Sequence, residues 1–190
     1  MFMELEFELP AFQHKLMGYA GMKQGEPLTV TLESDVLVPD PAASGWFTVQ
    51  KDPLSARFVP VAPATYAFTG QIVAAELETT DDGETAILLV QCGEIPIRVI
   101  CAPAEGGRLP FGTWETRYLT GVSRLHGLLE DDFQTAIGQS VDVTIWQFRR
   151  LVLAPGDAVF GQWYETDLLP PTPYHYDRVL IQSRLHRTRL

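Results

Sequence analysis

The sequence predicts a mainly β protein, either a small antiparallel barrel of the OB type or a β-sandwich, with one short helix and a loop-rich N-terminal third. Fourteen prolines and fifteen glycines divide the 190 residues into short segments, few of which have a helical period. Apolar residues instead alternate with polar ones along several segments, as they do in half-buried strands. The content of 46% hydrophobic and 20% charged residues is typical of a globular chain and excludes disorder or a coiled coil as the whole structure.

Proline content and strand signals divide the chain into three parts of one compact domain. Residues 1–64 form the loop-rich first part, residues 65–154 a barrel-like core, and residues 155–190 a proline-containing extension with a basic end. Within the first part, short alternating segments predict strands at 28–32, 46–49 and 57–59.

The strongest strand signal is a pair of apolar segments on either side of Gly93 and Glu94. A two-residue turn at that point places Cys92 opposite Ile95 and sets the register of the whole hairpin. Both cysteines are then buried and too far apart for a disulfide. With this register one face of the hairpin is apolar throughout: Ala86, Leu88, Val90, Cys92, Ile95, Ile97, Val99 and Cys101.

Two further strands complete the predicted core, at 114–125 and 141–154. Between them, acidic residues followed by Gly138 predict a helix of about two turns over 130–138. The order of a hairpin, a strand, a short helix and a strand is the one expected of an OB-type barrel. Residues 178–183 predict either a last strand or a frayed helix.

The net charge of −10 disfavours binding to nucleic acid or to an anionic membrane. Residues 178–190 nevertheless contain four arginines and no acidic residue, which indicates either a basic arm or a segment that pairs with the protein's own acidic surface. Three acidic residues among the first eight do not fit a signal peptide, and no apolar stretch has the length of a membrane span, so we expect a cytoplasmic protein. The four arginines are Arg178, Arg184, Arg187 and Arg189.

Motifs for the common catalytic chemistries are absent from the sequence. There is no Gly-x-Ser-x-Gly, no glycine-rich phosphate loop and no close pair of histidines, so neither a cofactor nor a metal site is predicted. The acidic clusters at 81–84 and 130–132 fit a hairpin turn and a helix start. A hydrolase with convergent carboxylates stays open, with Glu76, Glu115 and Asp142 on predicted strands.

Aromatic and arginine residues group on the two last strands of the predicted core. An OB-type barrel binds single-stranded nucleic acid by stacking bases on such aromatics beside arginine. The same pattern also fits core packing with surface ion pairs, and Trp146 is predicted to share a face with Phe148. The candidate ligand-binding residues are Trp114, Arg117, Tyr118, Arg124, Trp146 and Arg149.

Three functions therefore stay open. The first is a non-enzymatic module that binds a protein partner or a small ligand; an acidic protein attracts a basic protein partner by electrostatic steering. The second is an OB-like binder of single-stranded nucleic acid, which the net charge disfavours. The third is the hydrolase.

Overall fold

The computed structural model describes residues 3–10, 21–81, 83–103, 109, 114–129, 137–169 and 176–186. In these ranges the chain is mainly β, and nowhere in them is there a helix with the length and apolar character that crossing a membrane requires. The strands are β1 (Met3–Leu9), β2 (Pro27–Leu37), β3 (Trp46–Gln50), β4 (Arg57–Ala62), β5 (Thr65–Thr80), β6 (Gly83–Cys92), β7 (Ile95–Cys101), β8 (Tyr118–Leu128), β9 (Ser140–Leu151), β10 (Trp163–Thr166) and β11 (Arg178–Leu185).

The mainly β prediction is confirmed, whereas the short helix is not. Most of the predicted helix, residues 130–136, lies outside the described residues. Its described end, Ile137 and Gly138, is not helical, and β9 begins at Ser140 soon afterwards.

All eleven strands belong to one sheet, in which β2 and β8 each exchange partners along their length. These two strands pair with each other over residues 31–34 and 125–128. Ahead of this segment β2 pairs with β9, and beyond it with β7. β8 pairs with β5 and β3 ahead of the segment, and with β1 at one parallel position, Glu8 opposite His126.

Two circuits of paired strands follow from these exchanges. One runs β1–β11–β9–β2–β8 and the other β2–β7–β6–β5–β8, so that β2 and β8 belong to both. Each circuit contains one parallel pair, and its other pairs are antiparallel. The buried apolar side chains form one cluster, to which Phe7 and Ile181 contribute from the first circuit and Leu88 and Ile97 from the second.

Close packing at the shared strands requires glycine in β8. A Cβ atom on Gly127 would lie 2.3 Å from Cδ2 of Phe7 and 2.9 Å from Cγ2 of Val30. These atoms belong to β1 and β2, the two partners between which this part of β8 lies. Gly127 therefore permits the close approach of three strands where the first circuit closes.

The predicted hairpin is confirmed in its register. Cys92 pairs with Ile95 and Ala86 with Cys101, as the segregation of apolar residues requires. Both cysteines are free and buried. Burial raises the pKa of the Cys92 thiol to about 12 and also raises that of Cys101, so both remain protonated thiols near neutral pH.

The parts of the chain outside residues 65–154 supply strands to the same sheet. β1 to β4 come from the first 64 residues, and β10 and β11 from the last 36. β11 confirms the strand alternative for the C-terminal segment, and Arg178 donates hydrogen bonds of 3.1 and 2.9 Å to the Glu8 carboxylate. Arg178 thus pairs with the protein's own acidic surface, whereas Arg187 and Arg189 lie outside the described residues.

Candidate partner-binding surface

Trp146 is turned outward by an irregularity in the pairing of β9 with β11. Gln182 of β11 pairs with Gln147. The next residue of β11, Ser183, pairs with Ile145, which leaves Trp146 as an extra residue on β9. A bulge of this kind alters the direction of a side chain, and Trp146 is 44% exposed.

The prediction that Trp146 and Phe148 share a face was therefore wrong. Phe148 is fully buried in the core, whereas Trp146 lies on the outside of the sheet. The extra residue shifts the alternation of β9 by one position between the buried Ile145 and Phe148. Trp146 and Gln147 consequently both point away from the core.

Each of the two tryptophans on this part of the sheet carries an arginine over its ring. The Arg184 guanidinium carbon lies 4.0 Å from the ring centroid of Trp146, and that of Arg149 lies 4.8 Å from the centroid of Trp163. Both distances are within the range of an attractive cation–π contact. With Glu4, which pairs in register with Arg184, these residues define the Trp146 surface: Glu4, Trp146, Arg149, Trp163 and Arg184.

Trp146 lines two clefts that are open to solvent. The first has a volume of ≈ 250 Å³, and the second has a volume of ≈ 410 Å³. Arg184 lines the second cleft together with Trp146, but it does not line the first. The first cleft is lined by Glu4, Leu5, Glu6, Pro60, Tyr66, Trp146, Gln182 and Ser183.

The carboxylate of Glu6, in the first cleft, is fully engaged. Its Oε1 accepts a hydrogen bond of 2.8 Å from the backbone N–H of Ala64. Its Oε2 accepts bonds from Arg149 at 3.1 Å and from Gln182 at 2.9 Å. Glu6 therefore holds Arg149 in place and has little capacity for a further ligand.

The carboxylate of Glu4 differs in having no hydrogen bond or ion pair within the described part of the chain. Glu4 is exposed and lies directly opposite Arg184 in the register of β1 and β11. Arg184 nevertheless places its guanidinium over Trp146. The first cleft therefore contains one carboxylate whose charge is not neutralised by a direct contact.

A second polar cluster lies where β1, β2 and β8 meet, and it includes Arg124. The Nε atom of Arg124 lies 3.3 Å from Glu8 Oε2 and 3.3 Å from Asp35 Oδ2, and His126 Nε2 lies 2.5 Å from Asp35 Oδ1. Burial alone would raise the pKa of Asp35, but the hydrogen bond with His126 and the charge of Arg124 hold it below its usual value. The charges in this cluster compensate one another across the junction of the two circuits.

The structure brings together only two of the six candidate ligand-binding residues. Trp146 and Arg149 both belong to the Trp146 surface, whereas Arg124 lies in the second polar cluster. Trp114 is buried, with its ring centroid 6.1 Å from that of Phe47. Arg117 directly precedes β8, and Tyr118 begins this strand, where it pairs with β5.

Sequence reasoning missed Glu4, Trp163 and Arg184 as members of this surface. A signal for Glu4 was present, because Glu4, Glu6 and Glu8 alternate with apolar residues and so predict a strand with an acidic face. The strand alternative for residues 178–183 likewise contained a signal for β11. The stacking of Arg184 on Trp146 depends on the bulge and left no local signal.

The three carboxylates of the hydrolase hypothesis do not form a site. Glu76, Glu115 and Asp142 are each exposed, and Asp142 accepts a hydrogen bond of 2.7 Å from the Thr29 hydroxyl. Within the described ranges, no group of three histidine, cysteine, aspartate or glutamate residues is placed to hold a metal ion. The arrangement gives convergent-carboxylate hydrolysis no support.

Comparison of the chain with protein-family models, with curated proteins and with solved structures gave no match.

Proposed function

We propose that the protein is a non-enzymatic binding module that engages a basic protein partner through the Trp146 surface. The observation that carries this proposal is the bulge that exposes Trp146 between two clefts. Because Trp146 is 44% exposed, the protein forgoes part of the free energy that full burial of a large apolar side chain contributes, which is about 1.5–3 kcal/mol. A binding partner that covers the indole recovers this contribution.

The residue types on this surface favour a protein partner. Tryptophan and arginine are the residues most enriched at the energetic centres of protein interfaces. The first cleft, at ≈ 250 Å³, is smaller than the roughly 300–1,000 Å³ of a pocket for a drug-sized ligand. The second cleft is larger but open to solvent, and neither cleft encloses a ligand. Side chains of a partner protein suit such shallow clefts better than a complete small molecule does.

The charge of the whole chain favours a basic partner. A net charge of −10 accelerates the approach of a positively charged protein and repels an acidic one. On the Trp146 surface itself, Arg149 is paired with Glu6, whereas the Glu4 carboxylate has no direct counter-charge among the described residues.

Single-stranded nucleic acid is the second candidate, and the geometry favours it less. The arginines that would contact phosphate are already occupied, Arg149 with Glu6 and Arg184 over Trp146. Glu4 and Glu6 line the cleft beside the only indole that a base could reach there, and both repel a phosphate backbone.

For the fold, we propose the small OB-type barrel over the β-sandwich as the finer description. Each circuit has five strands, which is the number in an OB-fold.

We also propose that the protein is cytoplasmic. The support for this is that Cys92 and Cys101 are both free thiols and that no disulfide occurs among the described residues.

Selection from a display library of random 12-residue peptides tests the proposed function. The wild-type protein should enrich peptides with a net positive charge, and these should bind the Trp146→Ser variant at least about tenfold more weakly, as the loss of a hot-spot aromatic predicts. Tyr164→Ser is the matched control, because Tyr164 is 40% exposed but pairs with Arg150 on the other face of β9.

Two outcomes would contradict the proposal. Enriched peptides that bind Trp146→Ser as well as the wild type would place the binding surface elsewhere. A selection that enriches no peptide, together with tight binding of a single-stranded oligonucleotide, would favour the second candidate.

A further inference from the structure

We propose that the first cleft is a subsite for one arginine side chain of the basic partner, held between the open face of the Trp146 indole and the Glu4 carboxylate. This inference rests on the proposed function and names the chemical group that the partner presents. Three features of the cleft support it. Trp146 lines this cleft but Arg184 does not, the Glu4 carboxylate has no counter-charge among the described residues, and the lining suits a planar cation.

Trp146 borders two clefts, of which only the second is lined by an arginine. Arg184 lies 4.0 Å from the ring centroid and lines the second cleft. Trp146 also lines the first cleft, which Arg184 does not line. Trp146 therefore contacts one guanidinium and also borders a cleft that this guanidinium does not line, and it is in that cleft that we place the partner's arginine. The intramolecular contact demonstrates that this ring accommodates an arginine stacked on it.

Glu4 supplies the charge that selects a cation at the open side. Its register partner Arg184 is drawn onto the indole, and the Glu4 carboxylate has no hydrogen bond or ion pair within the described ranges. The neighbouring Glu6 cannot take this role because Arg149, Gln182 and Ala64 already donate to it. Glu4 is therefore the carboxylate of the cleft that can receive a new donor.

Arginine fits this pair of groups better than lysine does. A guanidinium is planar, stacks on an aromatic ring and can donate to a carboxylate from its edge at the same time. Pro60 lines the cleft as well and offers an apolar group against which the methylene groups of an arginine can pack. One cation–π contact with one exposed carboxylate predicts a dissociation constant on the order of tens of millimolar for an isolated arginine.

Titration with Nα-acetyl-arginine amide, followed through the indole N–H resonances of the ¹⁵N-labelled protein, tests the subsite. The protein has four tryptophans, and the spectrum of Trp146→Phe assigns the resonance of interest. We expect a saturable shift of the Trp146 resonance and none of Trp163, whose ring is covered by Arg149. The neutral isostere, Nα-acetyl-citrulline amide, should produce no saturable shift at the same concentrations.

Glu4→Gln is the decisive variant, because it removes the charge from an exposed side chain without removing a described contact. It should weaken arginine binding about threefold, as expected for one partly exposed carboxylate. The remaining indole resonances report whether the variant keeps its fold. An absent Trp146 shift, an equal response to citrulline or an unchanged affinity of Glu4→Gln would each overturn the subsite.

Failure of the subsite can be distinguished from failure of the proposed function. If cationic peptides bind in a manner that depends on Trp146, but bind equally well after each arginine is replaced by citrulline, the binding surface stands and the arginine subsite is wrong. If no peptide binding depends on Trp146, the proposed function itself is wrong.

Discussion

Tyr66 joins the two circuits through a single hydroxyl group. The backbone N–H of Glu6 donates to this hydroxyl at 2.7 Å, and the hydroxyl donates to the carbonyl oxygen of Glu6 at 3.0 Å. These backbone groups point to the edge of β1 that faces β8, where β1 pairs at only one position, Glu8. The Tyr66 hydroxyl thus replaces a missing strand partner.

Tyr66→Phe should therefore lower the free energy of unfolding by about 1–2 kcal/mol, because two partly buried backbone groups lose their partner. Urea denaturation of the two proteins measures the difference. Tyr164→Phe is the matched control, since its hydroxyl is exposed and its loss should change stability by less than about 0.5 kcal/mol. Equal stability of Tyr66→Phe and the wild type would contradict the proposed role of the hydroxyl.

Ionisation of the Tyr66 hydroxyl should lower the stability of the protein at high pH. Burial raises the pKa of Tyr66 to about 12, and the Glu6 charge adds to the rise. The unfolded-state value is about 10, so the contribution of Tyr66 to stability is complete below pH 10 and is lost as the pH rises towards 12. Denaturation at pH 9 and pH 11 should detect this loss in the wild type and less of it in Tyr66→Phe.

At the scale of elements, β8 determines how the circuits are joined. Its inward positions are occupied only by leucine, glycine and serine, and a Cβ atom on Gly127 would lie within 3 Å of side chains from both β1 and β2. The small residues are required by the neighbours rather than by the strand itself, since glycine weakens an isolated strand.

Gly127→Ala should destabilise the fold by about 3 kcal/mol, because the new methyl group meets the ring of Phe7. Replacing that ring in the double variant Gly127→Ala/Phe7→Leu should relieve part of the clash, so the double variant should be more stable than the sum of the single changes predicts. Thermal or urea denaturation of the three variants measures this coupling. Additivity within about 0.5 kcal/mol would show that the ring is not what excludes the methyl group.

The elements that could be predicted from the sequence are those whose partner is near in the chain. β6 and β7 are joined by two residues, and only one register keeps Ala86 through Cys101 apolar on one face. β1 pairs with β11 across more than 170 residues, and no local pattern specifies that pairing. The closing of two circuits through β2 and β8 likewise depends on partners that change along a strand.

The candidate site could be predicted only in part, for the same reason. Trp146 and Arg149 were recognised as aromatic and arginine residues on a strand, which is local information. The bulge arises because β9 and β11 differ by one residue over their paired length, so it becomes visible only when both strands are aligned. Arg184 and Glu4 enter the surface through that same pairing.

At the scale of the whole molecule, the uneven charge distribution and the exposed Trp146 surface both favour binding of a basic partner. In the C-terminal strand, Arg178 pairs with Glu8 and Arg184 lies over Trp146. Residues 1–177 contain ten basic and 24 acidic residues, which gives this part of the chain a formal net charge of −14. This negative charge attracts a basic partner, which can then bind at the exposed Trp146 indole.

The most direct test of this account is to follow the four indole resonances while a selected cationic peptide is added. Trp114 is buried in the core and Trp146 is exposed, so the tryptophans report on the interior and on the proposed surface separately. We expect the Trp146 resonance to shift to saturation as the peptide binds and the Trp114 resonance to stay in place. Saturating binding of the peptide with an unmoved Trp146 resonance would contradict the central claim that this surface engages the partner.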